Sequence, residues 1–359
     1  MSERAANPMQ AAAFLRNRNA AENQHTQVSI SFGERMDADA LRTAWDLVCA
    51  AHPILLSQFF RSAIGEVTLQ DSPASQTTWR KIDWQAAEPE QIPGKWEELQ
   101  KSDLTDPFDS NSLVRITEIQ LPGGVSHFLL TIPPFLLDES SIARVLLDWL
   151  VALERTPATP AETPMPLAAA SAWTEILKPA EAPLALHPRP PAPVSISAAL
   201  AIGREESRAF LDSCKSKSLD PRAVLHSLWA LLLRRLGATG NVTLGQFDAR
   251  HSSGEAGYFE NWLPVVHCWE SKNWLQDAQQ SFDATSANAW IPPASALAAT
   301  ASPLAIDSLQ TGFVWRGPEV RDIIQTALPR WINFDARIQS ARPDLLLLEA
   351  RADTRITLQ

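Results

Sequence analysis

The sequence predicts an α/β protein built as two αβ-sandwich lobes, and three observations lead to this fold class. Amphipathic helical stretches alternate with short apolar strands in both halves of the chain. Ten of the 27 prolines lie between Pro157 and Val194, and because proline fixes φ and lacks an amide donor, this stretch is predicted to be an extended linker. The 359 residues, 45% hydrophobic and 20% charged, suffice for two globular cores. The predicted divisions are lobe 1–156, linker 157–194 and lobe 195–359.

The first lobe is predicted to alternate strands and helices and to end in a strongly amphipathic helix. Apolar alternation indicates a strand over Gln24–Phe32. Asp37 or Asp39 is suited to cap the next helix, which Pro53 prevents from continuing. Two strand-like runs flank Pro122–Gly124, which indicates a hairpin. The closing helix is predicted from apolar residues at helical spacing, namely Ile142, Val145, Leu146, Trp149, Leu150 and Leu153.

The linker and the second lobe show the same kind of pattern. One short helix is expected within the linker, over Ala168–Leu177. In the second lobe, Asp220 and Pro221 suit a helix start and Gly237 suits a helix end, so a helix is predicted between them. Its predicted apolar stripe comprises Leu225, Leu228, Trp229, Leu232 and Leu236. Further strands and one more helix are expected to complete this lobe.

Composition excludes several functional classes. Three scattered cysteines, Cys49, Cys214 and Cys268, disfavour a disulfide framework and fit a reducing compartment. The N-terminus has no apolar core of the kind a signal peptide needs, and no run of 18 apolar residues occurs, so we expect a cytoplasmic protein without membrane spans. A net charge of −10 argues against a generic nucleic-acid binder. Neither HExxH nor CxxC is present, so no metal site is expected.

Six short segments, spread over nearly the whole chain, match recurring motifs in order and in rough spacing. They are Asn7-Pro8-Met9-Gln10 (S-x-x-Q), Ala51–Phe59 (RHxxLRTxF), Asp106-Pro107-Phe108-Asp109 with Leu113-Val114-Arg115 (PFD…plvR), Gly245–Arg250 (G-x-x-x-x-R) and Gly257–Pro264 (GxFVNxLP). With these segments the chain resembles the condensation domains of nonribosomal peptide synthetases, members of the chloramphenicol-acetyltransferase-like superfamily.

The resemblance implies two acetyltransferase-like lobes that form a V around a central tunnel. In the family, a carrier-bound acyl or peptidyl thioester enters from one side and a carrier-bound amine from the other. They meet at the second histidine of an HHxxxDG motif, which acts as a base or orients the amine. The partners implied are acyl or peptidyl carrier proteins, whose phosphopantetheine arm is the only cofactor expected. Family members continue beyond a stretch like Arg355–Gln359 into a closing helix, which this sequence lacks.

The central motif is where this chain departs from the family. Its segment reads Pro133-Pro134-Phe135-Leu136-Leu137-Asp138-Glu139, so prolines replace both histidines and Glu139 replaces the glycine. Proline has no titratable group and no side-chain hydrogen-bonding atom, so the histidine mechanism is not available. Only Asp138 remains, and the resemblance implies that it pairs with Arg250. Asp138 is also suited to cap the helix that follows, and the two roles are compatible.

Two functions remain open from the sequence. The favoured one is an accessory protein that binds carrier proteins or tethered intermediates without forming the bond. The alternative is an acyltransferase that forms an amide or ester without histidine, and a small-ligand or dimerisation module is a third, more distant possibility. Possible catalytic substitutes are Asp138, Glu139 and Ser141. The candidates for lining the tunnel are Pro134, Phe135, Ser141, Asn261 and Trp262.

Overall fold

The computed structural model divides the chain into two compact units, each assembled from three stretches of sequence. Unit 1 contains residues 1–164, 251–259 and 319–341, and unit 2 contains residues 165–250, 260–318 and 342–359. The structure describes residues 3–19, 25–33, 35–63, 65–71, 76–108, 111–154, 170–181, 198–237, 240–249, 256–292, 295, 297, 309, 311–317, 319–331, 333–339, 346–352 and 356–358. Among these residues, no helix has the length and apolar character needed to cross a membrane.

Unit 1 contains a five-stranded and a three-stranded sheet. The larger sheet has the order β12-β2-β7-β6-β5, with β5 parallel to β6 and the other pairs antiparallel. The strands are β1 (Glu3–Ala5), β2 (Thr26–Ser31), β3 (Ser57–Arg61), β4 (Val67–Asp71), β5 (Thr78–Asp83), β6 (Arg115–Gln120), β7 (Ser126–Ile132) and β12 (Asp335–Gln339). The helices are α1 (Pro8–Asn19), α2 (Ala38–Ala51), α3 (Ile92–Thr105), α4 (Glu139–Ala152) and α9 (Val320–Ala327).

The core of unit 1 packs α2 and α4 against the larger sheet through aromatic side chains. Trp45 of α2 and Trp149 of α4 are fully buried and meet edge to face, with ring centroids 5.1 Å apart. Phe32, just after β2, contacts Trp149 at 5.7 Å in the same geometry. Asp37 caps α2 by accepting from two backbone N–H groups, as the sequence predicts. The predicted hairpin is confirmed as β6 and β7.

A buried ion pair joins the sheet of unit 1 to the end of α3. The guanidinium of Arg115 lies 2.7 Å from the carboxylate of Asp103, and both side chains are at most 3% exposed. That carboxylate also accepts hydrogen bonds from the Thr131 hydroxyl and from the Gln27 side-chain amide. Because a buried charge is costly unless it is paired and hydrogen-bonded, these contacts keep Arg115 and Asp103 in place as one unit.

The histidine of the second motif is also structural. His52 follows α2, and its Nε2 lies 2.8 Å from the carboxylate of Asp148 on α4. Arg144, one turn earlier on α4, contacts the same carboxylate oxygen at 2.8 Å. The imidazole therefore ties the end of α2 to the middle of α4.

Unit 2 is built on a six-stranded sheet with the order β10-β9-β11-β13-β14-β8. Parallel pairs join β11 to β13 and to β9, and the other pairs are antiparallel. The strands are β8 (Leu200–Ala201), β9 (Val242–Ala249), β10 (Glu260–His267), β11 (Thr311–Arg316), β13 (Leu346–Ala352) and β14 (Ile356–Leu358). The helices are α5 (Ala170–Leu177), α6 (Arg204–Ser216), α7 (Pro221–Arg235) and α8 (Trp274–Ala287).

The units differ from the predicted lobes, since the stretch 195–359 does not group as a whole with unit 2, whereas residues 165–194 of the predicted linker do group with it. Residues 251–259 and 319–341 group with unit 1, where β12 pairs antiparallel with β2 over Gln27–Ser31. Strand pairing between segments about 300 residues apart leaves no local signal in the sequence. Apart from α5, most of the predicted linker lies outside the described residues.

The ends of α7 are as predicted, but its buried face is not. Asp220 caps the helix, Pro221 is its first residue, and Gly237 adopts a φ of 127° just beyond its end. Of the five residues in the predicted stripe, Leu225 is buried, whereas Leu228, Leu232 and Leu236 are exposed. The helix packs on the sheet and on α6 and α8, and its buried residues are Ala223, Val224, Leu225, His226, Ser227, Ala230 and Leu233. The helix has apolar residues on two faces, so periodicity alone does not show which one is buried.

Two histidines share a hydrogen bond in the core of unit 2. Nδ1 of His226 on α7 lies 2.7 Å from Nε2 of His267 at the end of β10, and both side chains are buried. Phe282 and Phe313 contact the His226 ring. Burial, with the neighbouring His267, lowers the pKa of His226 well below its usual value, and burial lowers the pKa of His267 to about 3. Both rings are therefore neutral near pH 7, and one donates to the other.

This pair predicts acid-dependent stability. The unfolded chain gains protons on both histidines below about pH 6.5. In the folded chain His267 is not protonated until the pH nears 3, and the pKa of His226 also lies well below its usual value. Stability is therefore complete above pH 7 and falls by about 2 kcal/mol per histidine between pH 7.5 and 5. Urea unfolding at a series of pH values measures this loss. His267→Gln should reduce the pH dependence and the control His127→Gln should largely retain it; a flat wild-type profile over this range would contradict the prediction.

Candidate functional site

The segment Pro133–Asp138, which the sequence comparison places at the histidine motif, forms a turn between β7 and α4. The N–H of Leu136 donates to the carbonyl of Pro133, 3.1 Å away, and closes the turn. Pro133 is buried and Pro134 is half-buried. Glu139, half-buried, is the first residue of α4. The turn thus holds the half-buried ring of Pro134 between β7 and α4.

Asp138 caps α4 and at the same time holds a distant segment of the chain. One carboxylate oxygen accepts from the Ser141 N–H at 2.8 Å and from the Ser140 hydroxyl at 3.1 Å. The other oxygen accepts from the Phe259 N–H at 2.8 Å. The N–H of Asp138 itself donates to the carbonyl of Gly257 at 3.1 Å. With the side chain 3% exposed, the carboxylate is satisfied by donors from two segments 120 residues apart.

Ser141 completes the attachment of that segment. Its hydroxyl oxygen accepts from the Gly257 N–H at 3.1 Å, and its side chain is buried. Just before α1, the Asn7 side-chain amide donates to the carbonyl of Tyr258 at 3.2 Å. We call the bonds from Asp138 and Ser141 to Gly257 and Phe259 the Asp138 clamp. Two of the three candidate catalytic substitutes, Asp138 and Ser141, are thus engaged in backbone hydrogen bonds.

Phe135 points into the core of unit 1 rather than toward solvent. It is 6% exposed and meets Phe14 of α1 and Phe59 of β3 edge to face, at centroid distances of 5.2 and 4.9 Å. Phe14 and Phe59 stack on each other at 5.5 Å. Such aromatic contacts contribute about 0.5–1.5 kcal/mol each beyond area burial. The residue after Pro134 therefore anchors the turn.

Asn261 and Trp262, proposed from the sequence as tunnel residues, have structural roles in unit 2. The Asn261 amide donates to two backbone carbonyls that follow α8, at 2.7 and 2.9 Å, and its oxygen accepts from the Trp262 N–H. The Trp262 indole lies across β9 and β11, where a Cβ at Gly245 or Gly312 would overlap it. These two glycines make room for the indole. That either residue lines a tunnel stays a prediction.

Three of the residues considered in the sequence lie where the structure gives no description. Arg250, the predicted partner of Asp138, lies outside the described residues, as do His187 and His251. A cavity of about 380 Å³ in unit 1 lies between α3 and the β5–β6 edge, with Arg80 and Thr117 in its wall and no residue of the motif segment. Within the described part of the chain, no three His, Cys, Asp or Glu side chains converge as metal ligands.

Comparison with known proteins gives the fold. No family model and no curated protein matches the sequence. Among solved structures, the chain is similar to the condensation domain from Monacolin K polyketide synthase MokA, with 14% identity, 100% of this chain and 91% of that chain covered, and a TM-score of 0.73. It is also similar to the X-domain from teicoplanin biosynthesis, with 17% identity, 99% of this chain and 88% of that chain covered, and a TM-score of 0.71. A further similar structure is the epimerization domain from the third module of tyrocidine synthetase B, with 13% identity, 99% of this chain and 90% of that chain covered, and a TM-score of 0.70. The chain therefore has the condensation-domain fold, as the sequence motifs predict.

The clamp leads to a stability prediction. Asp138→Ala removes the α4 cap, which costs about 1 kcal/mol, and leaves the buried Phe259 N–H without its acceptor, which costs about 1–3 kcal/mol more. Asp37→Ala is the matched control, because Asp37 caps α2 in the same unit from an exposed position. Urea unfolding should show a larger loss for Asp138→Ala, by 1 kcal/mol or more. Equal losses would mean that Asp138 is only a cap.

Proposed function

We propose that this chain is a condensation-domain-like protein of nonribosomal peptide or related carrier-dependent biosynthesis. In this proposal it binds carrier proteins, or the acyl and aminoacyl intermediates tethered to them, without histidine-based condensation. The observation that carries the proposal is the turn at Pro133 and Pro134, which keeps the connection between β7 and α4 while lacking both imidazoles. Binding would take place in the cytoplasm, consistent with the three free cysteines.

The chemistry of the turn supports a role other than general base catalysis. A positioned base contributes about 10²- to 10⁴-fold to such reactions, and neither proline supplies one. Both oxygens of Asp138 accept backbone N–H groups, and the Ser141 oxygen accepts another. Moving either group toward a substrate would break the clamp and leave buried N–H groups unpaired, at about 1–3 kcal/mol each. These two residues are therefore poor replacements for the histidines.

Two structural relatives support a role in binding. The X-domain from teicoplanin biosynthesis is known in complex with OxyB, so a domain of this fold binds a separate protein. Another relative is part of a four-domain nonribosomal peptide synthetase in its holo form. A carrier protein as the partner of this chain is consistent with a fold that occurs in a holo synthetase and in a complex with a separate protein. The alternative, an acyltransferase without histidine, would require a group such as Glu139, which lies in the first turn of α4.

Intact-mass and native mass spectrometry test the proposal together. The protein is mixed with a carrier protein loaded with an acyl thioester and with an amine or aminoacyl-carrier acceptor. We expect a native complex with the carrier and no transfer above the enzyme-free control, because the turn has no base. Protein-dependent transfer that is lost in Glu139→Gln would instead favour the acyltransferase. Failure to bind any carrier would contradict the proposed function.

Restoring one imidazole is not expected to restore condensation. In Pro134→His, Pro133 still fixes the entry to the turn and Phe135 still anchors it in the aromatic cluster. We therefore expect single-turnover rates equal to those of the control Pro134→Gly, which removes the ring without adding a base. A rate for Pro134→His at least 10²-fold above that control, the contribution of a well-positioned base, would show that the scaffold was already competent.

A further inference from the structure

Helix α7 of unit 2 exposes a row of leucines. Leu228, Leu232 and Leu236 are 45%, 47% and 73% exposed, and their spacing of four residues puts them on one side of the helix. They make up three of the five large hydrophobic side chains that the structure describes as exposed. We call this row the α7 stripe. A contiguous apolar row on a folded helix is typical of an interaction surface, whereas single exposed leucines are not.

The same helix is basic within an acidic protein. The 15 residues of α7 include three arginines and no acidic residue, whereas the whole chain has a net charge of −10. Arg222, at the start of the helix, is paired with Asp220. Arg235 is exposed and follows Leu228 by seven residues and Leu232 by three, so it borders the α7 stripe. Positive charge is therefore placed beside the apolar row.

We infer that the α7 stripe docks an acidic partner protein through an apolar helix face. Given the proposed function, on which this inference rests, the partner is an acidic carrier-protein domain. Leucines supply the apolar contact, and Arg235 faces the acidic rim of the partner helix, which favours encounter and register. Three leucines provide a small contact, which fits the transient binding that delivery of successive intermediates requires.

The charges and the size of the stripe argue against two other occupants. A second copy would bring the arginines of two α7 helices together and bury much less than the roughly 800 Å² per partner of a standard stable interface. An anionic membrane would attract α7 but repel a chain of net charge −10. An acidic protein with an apolar helix face is the partner that meets both features of α7.

Titration calorimetry tests the inference, with a phosphopantetheinylated nonribosomal peptide synthetase carrier domain of net negative charge as the probe. We expect Leu232→Glu and Arg235→Glu to raise Kd by about tenfold or more, because one removes apolar contact and the other reverses the complementary charge. Leu200→Glu is the matched control, since Leu200 is 62% exposed on β8 and lies outside the α7 stripe. Its Kd should equal that of the wild type.

The outcomes separate this inference from the proposed function. Wild type that binds no carrier overturns both, whereas equal affinity of wild type and Leu232→Glu overturns only the α7 assignment. Sedimentation of the carrier-free protein as a dimer that Leu232→Glu dissociates would assign the stripe to a second copy. Leu232-dependent binding to phosphatidylglycerol vesicles would assign it to lipid. A melting temperature clearly lower in Leu232→Glu than in Leu200→Glu would mean that the chain itself covers the stripe.

Discussion

The buried carboxylate of Asp138 is the interaction on which the geometry of the candidate site depends. A helix start leaves backbone N–H groups without partners, and the N–H groups of Gly257 and Phe259 also need acceptors. One carboxylate satisfies donors of both kinds, with Ser141 adding a further acceptor. The turn at Pro133–Asp138, the first residues of α4 and the segment Gly257–Phe259 are therefore fixed together. This arrangement needs no imidazole, so the loss of the histidines is compatible with an intact scaffold.

Structure and chemistry are separable in this motif. Asp138 contributes to folding through bonds to the backbone, whereas Pro133 and Pro134 earlier in the same turn have rigid, non-titratable rings. Phe135 adds an aromatic anchor that fixes the turn in the core of unit 1. Helix α7 is basic and bears exposed leucines within an acidic chain.

Local features could be predicted from the sequence, and long-range ones could not. The caps at Asp37, Asp138 and Asp220 follow from short-range rules and are all present. The bond from Asp138 to the Phe259 N–H has no sequence signal, because any residue but proline offers a backbone N–H. The pairing of β12 with β2 was missed for the same reason. In α7 the difference has another cause, since apolar residues occupy two faces of the helix and the periodicity does not show which face is buried.

Amide hydrogen exchange at Gly257–Phe259 tests whether the Asp138 carboxylate fixes the candidate site. The N–H groups of Gly257 and Phe259 are held only as firmly as the side chains that accept from them. We expect Asp138→Ala to accelerate exchange strongly at Phe259 and in the first turn of α4, and Asp37→Ala to leave both unchanged. Unaltered protection of Phe259 in Asp138→Ala would contradict the claim that this carboxylate fixes the site.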